Sequence, residues 1–257
     1  MSLPESITPA GVEPRPALTT YEDVARLIEH SLVRPDLSEE QVEAGCALAR
    51  EYGVAAVVVR PSDADAAVRW MEGSGVKVAS VVGYPHGSTT TGAKLYEARD
   101  LLRRGVKEID AVLNVGKMMS RQFPYVEMEL TQLSQACHES GAVLKVVFEN
   151  GYLPQDLKTI ACRLSKRAEI DYACTGTDAS PSGGLVDEDL ALMRRLLNDK
   201  LRMKAGSGIR TLADVTRAYE GGCDRVETAA TQAILDEWKA ELARRKAAEA
   251  VTQPSTN

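Results

Sequence analysis

Two hydrophobic rhythms alternate along this chain. Short β-branched runs occupy Ile28–Val33, Val54–Arg60, Val76–Val82, Glu108–Val115, Val143–Glu149, Ile170–Thr175, Arg202–Gly206 and Arg225–Ala229. Each is followed by a stretch with apolar residues at helical spacing, so the pattern predicts eight strand–helix units. Several helices carry start signals. Ser38-Glu-Glu-Gln41 reads as a capping box, and Thr211-Leu-Ala-Asp214 as a weaker one. Gly53, Gly75, Gly105, Gly141 and Gly221 stand where a helix would end on a left-handed residue. Strands separated by whole helices must pair in parallel, because antiparallel neighbours need only a tight turn. Eight such units in this length predict a single (β/α)8 TIM barrel in the α/β class. The competing doubly wound sheet lacks its Gly-x-Gly-x-x-Gly turn after the first strand. Residues 1–20, with Pro4, Pro9, Pro14 and Pro16, read as a flexible arm; the barrel then spans 21–250. Ile234, Leu235, Trp238 and Leu242 mark an amphipathic closing helix over 231–250, and 251–257 is a polar tail.

Composition narrows the function classes. The chain has 257 residues, 44% hydrophobic and 26% charged, with 31 Lys and Arg against 37 Asp and Glu. A net charge of −6 without a basic stripe argues against a nucleic-acid partner. No apolar run reaches the roughly 18 residues that span a bilayer, so no membrane partner is expected. No leader-like segment opens the chain, and five scattered cysteines form no CxxC pair. A cytoplasmic, reduced protein without disulfide or zinc framework is the expectation.

In a barrel of this kind chemistry sits at the carboxyl ends of the strands. Charged residues on strands therefore identify the candidates, since Val, Ile or Leu is the ordinary occupant. Period-two alternation puts Asp110 and Asn114 on one side of strand four, and Lys145 and Glu149 on one side of strand five. Glu29 and Ser31 share a side of strand one, Arg60 closes strand two, and Lys204 stands on strand seven before Gly206-Ser207-Gly208. A buried lysine requires either a structural ion pair, such as Lys145 with Glu149 or Asp110, or a functional role. In the second case burial and cationic neighbours would lower its pKa and make it an amine nucleophile or base. His30, His86 and His138 lack metal-ligand spacing, so no metal and no cofactor are expected; His86, in a loop on the catalytic face, is a minor candidate for touching substrate.

These segments resemble the deoxyribose-phosphate aldolase family, class I aldolases on the same barrel. The resemblance runs from about Leu27 to Leu235 and rests on Ile28-Glu-His-Ser-Leu32, Gly53-Val-Ala-Ala-Val57, Gly83-Tyr-Pro-His-Gly-Ser-Thr-Thr-Thr91, Glu108-Ile-Asp-Ala-Val-Leu-Asn-Val-Gly116, Lys145-Val-Val-Phe-Glu149 and Lys204-Ala-Gly-Ser-Gly-Ile-Arg210. It implies a small-molecule carbonyl substrate, a lysine Schiff base, no metal and a homodimer with the closing helix as a contact. It also implies that Asp110 relays protons and that Lys204 is the second lysine, tuning the nucleophile. The family's Schiff-base lysine falls at Cys174, within Ala173-Cys-Thr175-Gly-Thr-Asp178. A thiol attacks carbonyls but cannot form the protonated imine that acts as electron sink. Other departures gather at the mouth: Glu29 for Asp, Val58 for Cys, Arg60 for Asn, Glu227 for Gly, and Ala229-Ala230 for a pair of small hydroxyl residues that help hold phosphate.

Three readings follow. One is aldol or retro-aldol chemistry with Lys204 or Lys145 as the imine-forming amine, Asp110 moving protons and Glu149 assisting. The second is an imine-independent lyase or isomerase using Lys204 and Asp110 as acid and base, with Cys174 a participant or simply a buried small hydrophobe. The third is a non-catalytic, metabolite- or protein-binding homologue. Under the enzymatic readings Asp110, Lys204, Cys174 and Lys145 carry the chemistry, and Glu29, Arg60, Asn114, Glu149, Thr175, Gly206, Ser207 and Glu227 surround the substrate. Asp110, Lys145, Glu149 and Lys204 are expected to cluster inside the barrel.

Overall fold

The computed structural model describes residues 15–178, 184–197 and 201–252. Eight strands close into a barrel in sequence order: β1 (Ile28–Leu32), β2 (Ala56–Val59), β3 (Lys77–Val82), β4 (Glu108–Val112), β5 (Val143–Val147), β6 (Tyr172–Cys174), β7 (Arg202–Ala205) and β8 (Arg225–Thr228). All neighbours pair in parallel, and β8 returns to β1. The helices are α1 (Tyr21–Ala25), α2 (Glu39–Tyr52), α3 (Ala64–Met71), α4 (Thr91–Arg103), α5 (Val115–Met119), α6 (Phe123–Glu139), α7 (Gln155–Arg167), α8 (Asp187–Leu197), α9 (Leu212–Glu220) and α10 (Thr231–Thr252). The chain is thus the (β/α)8 barrel its pattern predicts. Among the described residues no helix is long and apolar enough to cross a membrane.

Local chemistry accounts for the element ends. Ser38 with Gln41 and Thr211 with Asp214 form complete capping boxes, satisfying amides that the first helical turn leaves free. Gly53, Gly75, Gly105 and Gly141 all have positive φ, as predicted. Gly221 does not. It stays right-handed at φ −71°, and its neighbour Gly222 takes the turn at φ +97°. Either glycine of the pair can make that reversal, so the sequence could not choose between them.

Residues 15–20 lie against the barrel. The Arg15 guanidinium donates to the Cys223 carbonyl and to Asp224, and the Tyr219 hydroxyl donates to the Pro16 carbonyl. Residues 1–14 and the tail beyond 252 lie outside the described residues.

Outward-facing strand residues such as Ile28, Val57, Ile109, Leu144, Ala173, Met203 and Val226 pack with the helices into one large apolar cluster. A second buried charge pair sits out there. Lys94 on α4 donates to Glu129 on α6 at 2.6 Å and to the Val112 carbonyl at 2.7 Å, and the Thr91 hydroxyl donates to Glu129. It ties two helices to β4 and faces away from the barrel interior. Among the described residues the interior holds two small apolar patches: Val112, Val147, Tyr172 and Cys174 on one side, and Val58, Ala79 and Val81 on the other. The charged side chains of Glu29, Lys145 and Lys204 lie between them.

Candidate active site

Strand register builds the site. Parallel pairing sets Asp110 beside Lys145, Cys174 beside Lys204 and Glu29 beside Glu227. Each of these side chains points inward because its strand alternates. The Lys204 ammonium donates to Asp110 through a short contact, to Glu29 at 2.6 Å and to Glu227 at 2.7 Å. Lys145 donates to Glu29 at 2.7 Å and forms ion pairs with Glu108 at 2.7 Å and with Asp110 at 3.2 Å. Arg225 approaches Glu29 at 3.7 Å. Two ammoniums and four carboxylates thus form one continuous network, with Glu29 and Asp110 bridging both lysines.

The network sets the protonation states. Burial alone would raise Glu29, but Lys145 and Lys204 outweigh it and hold its carboxyl at about 2. Burial would likewise lower both lysines. Asp110 and Glu29 win at Lys145, and Asp110, Glu227 and Glu29 win at Lys204, so both pKa values lie above the ordinary lysine range. This corrects the expectation of a lysine with a depressed pKa: each ammonium is surrounded by three carboxylates, and attraction exceeds desolvation. Burial raises Glu227, with Lys204 pulling the other way.

Glu29, Asp110 and Glu227 have carboxylate oxygens within 4.8 Å of one another, a spacing that suits a metal ion. Lys204 Nζ contacts all three and occupies that position as an internal cation. Glu108 is a member that sequence reasoning missed. It shares the parity of Asp110 on β4, so the period-two rule already pointed inward.

Other candidates fall elsewhere. Glu149 is not in the lysine cluster. It has φ +56°, which turns the chain at the end of β5 and carries the carboxylate towards Gly176 and Ser207. Arg60 serves the β1–α2 loop: its guanidinium donates to Asp63 and to the Arg34, Pro35 and Leu37 carbonyls. Asn114 caps α5 by accepting from the Lys117 amide. Thr175 accepts from the Gly206 amide, and Gly206 must be glycine because a Cβ would lie 2.1 Å from the Gly176 carbonyl oxygen. Cys174 is fully buried among Val112, Val147 and Tyr172, and burial pushes its thiol well above the normal range. It is a protonated, apolar-packed thiol. His86 is exposed, and His138 pairs with Asp171 on the outer surface.

Above the network lies a cleft of about 730 Å3, whose lining includes Ser31, Tyr84, Asp178, Gly206, Arg210 and Glu227. Lys204 itself is 1% exposed. Glu227 lies between, accepting from the Ser31 hydroxyl at 2.7 Å with one oxygen and holding Lys204 with the other. Two amides at the cleft are already satisfied internally: Gly208 donates to the Asp178 carboxylate at 2.9 Å, and Ala230 to the Thr228 hydroxyl at 3.0 Å.

No family model matches the chain. Individual relatives do. A deoxyribose-phosphate aldolase of Caldanaerobacter subterraneus subsp. tengcongensis is 36% identical over 84% of this chain and 94% of its own length. That of Bacteroides thetaiotaomicron is 34% identical over 86% and 92%. Among solved structures, a Coccidioides immitis protein assigned as a deoxyribose-phosphate aldolase superposes with TM-score 0.83 at 30% identity, covering 88% of this chain and 89% of that one. The tetrameric deoxyribose phosphate aldolase of Aeropyrum pernix superposes at 0.80 with 28% identity, covering 87% and 94%. Barrel, strand-end charges and relatives agree: the chain belongs to the deoxyribose-phosphate aldolase family.

Proposed function

We propose that the protein is a carbon–carbon lyase of the deoxyribose-phosphate aldolase type with an altered active site, acting on a small aldehyde or sugar through Lys204. The observation that carries this reading is the position of Lys204: a buried amine on β7, register partner of Cys174 and in direct contact with Asp110. An imine at Lys204 Nζ requires the ammonium to give up a proton, and Asp110, Glu29 and Glu227 are the acceptors in contact. Once the carbonyl carbon is bound and water has left, a neighbouring carboxylate takes the proton of the substrate's β-hydroxyl. The bond between the α and β carbons breaks, its electrons pass to the protonated imine, and the β carbon leaves as an aldehyde. Asp110 then returns a proton to the resulting enamine carbon. Cys174 takes no part; burial keeps its thiol protonated, packed against Val112, Val147 and Tyr172.

The resting site is a restrained one. Lys204 is an ammonium with three anionic partners, and Glu227 stands between it and the cleft, so imine formation is slow at neutral pH and accelerates as pH rises. The phosphate grip is weakened as well. Asp178 already occupies the Gly208 amide, Glu227 adds an anion, and Ala229-Ala230 lack hydroxyls. Cleavage of deoxyribose 5-phosphate is accordingly expected to be very weak or absent.

One observation favours a second reading. Lys204 is 1% exposed and saturated by three carboxylates, so its amine is closed to a carbonyl in the resting state, as in a non-catalytic, metabolite-binding barrel. Borohydride reduction in the presence of acetaldehyde, followed by peptide mass spectrometry, separates the two. An ethyl group on the Lys204 peptide supports the lyase; a protein unmodified at every interior lysine across pH 7–10 leaves the binding reading.

A further inference from the structure

A separate cavity of about 200 Å3 opens at the ends of β5, β6 and β7, and shares Thr177 and Asp178 with the main cleft. Two of its side chains are buried acceptors without partners. Neither oxygen of the Glu149 carboxylate, 1% exposed, has a partner in hydrogen-bond geometry; burial raises its pKa above the ordinary carboxylate value, and nearby Thr177 only partly offsets the rise. The Asn150 carbonyl oxygen, on a residue 6% exposed, is likewise unpaired, while its amide nitrogen points to the Met193 sulfur. Burying an acceptor without a donor costs about 1–3 kcal/mol, and more for a charged group. Two adjacent acceptors left in this state, in one cavity, mark a place that a donor is meant to fill.

The cavity's charge selects the donor. Among the described residues, Glu149, Asp178 and Asp189 line it against a single ammonium, Lys158, which Asp189 engages at 2.6 Å. Asp178 is engaged by the Gly208 amide. The excess is negative and centred on Glu149, so a cation fits better than a neutral hydroxyl compound. Leu153 and Val186 supply an apolar wall from which a bare metal ion gains nothing. We propose that this cavity is a subsite for the primary ammonium group of a small organic amine, held by Glu149 and the Asn150 carbonyl with its hydrocarbon against Leu153 and Val186. Such a ligand would reach towards the main cleft past Thr177, the reverse of a phosphate in charge.

Saturation-transfer NMR with propylammonium chloride as the probe tests this on the full chain. Binding in the millimolar range is expected, with 1-propanol at least tenfold weaker and potassium chloride unable to displace the amine at matched ionic strength. Glu149→Gln, which keeps the shape and removes the charge, should weaken binding at least tenfold. Should that variant fold poorly, Val186→Trp at the rim, where Val186 is 41% exposed, should block entry without touching the interior. Absence of transfer to the wild type, equal binding of propanol, displacement by potassium, or unchanged binding in the folded variants would each overturn the assignment. Trapping at Lys204 reads a different group, so either result can fail without the other.

Discussion

Replacing Glu227 by glutamine should make the protein better at forming an imine. The side chain contributes one of three carboxylates around Lys204, at 2.7 Å, and is the one nearest the cleft. A unit charge at about 3–4 Å is worth roughly 1 kcal/mol in water and about 4–5 kcal/mol at an effective dielectric near 20. The Gln carbonyl keeps a hydrogen bond to Nζ and recovers part of this, which leaves about 1.5–4 kcal/mol of lost ammonium stabilisation. At about 1.4 kcal/mol per pKa unit, Lys204 should titrate about one to three units lower. The neutral amine fraction at pH 7.5 then rises about 10- to 1000-fold. Initial rates of borohydride trapping with acetaldehyde, read at the Lys204 peptide from pH 6.5 to 10, measure it. The variant's rise should be displaced to lower pH and its rate at pH 7.5 should exceed the wild type's by at least tenfold. Equal rates and an undisplaced pH profile would show that Glu227 does not hold the proton on Lys204, and the restrained-amine argument would fail.

Lys145→Met should destabilise the barrel by about 3–5 kcal/mol, because Glu29, Glu108 and Asp110 lose a buried counter-ion; a thermal midpoint within a few degrees of wild type would contradict this. Cys174→Ala should trap acetaldehyde within about threefold of wild type, whereas a loss beyond tenfold would reinstate the thiol as a participant. Glu29 should make stability fall with acid: its folded pKa of about 2 lies below the unfolded value, so its contribution is present above about pH 5 and lost as pH drops towards 2. Denaturant titrations at stepped pH should show that slope in the wild type and a shallower one in Glu29→Gln. His30, buried and held neutral with a pKa of about 4, adds a loss between about pH 6.5 and 4, which His30→Gln should remove.

The alternation of apolar and polar positions was enough for the architecture. Eight β-branched runs separated by helix-length stretches admit few arrangements other than parallel closure, and capping boxes at Ser38 and Thr211 depend on residues three apart. Inward placement of Glu29, Asp110, Lys145 and Lys204 was legible for the same reason, since strand parity is a local property. What these residues do to one another was not. Whether a buried lysine is a lowered-pKa nucleophile or a clamped ammonium depends on how many carboxylates reach it. Those come from β1, β4 and β8, brought together only by barrel closure and register. Glu149 shows the limit from the other side. Its parity matches Lys145, yet a left-handed backbone at φ +56° turns it into a neighbouring cavity. Arg60 similarly ends a strand at the mouth but spends its donors on carbonyls of the preceding loop, whose course no local pattern encodes. Sequence periodicity thus determined which face each residue takes within its strand; tertiary closure decided which charges meet, because electrostatic balance is a property of the assembled set.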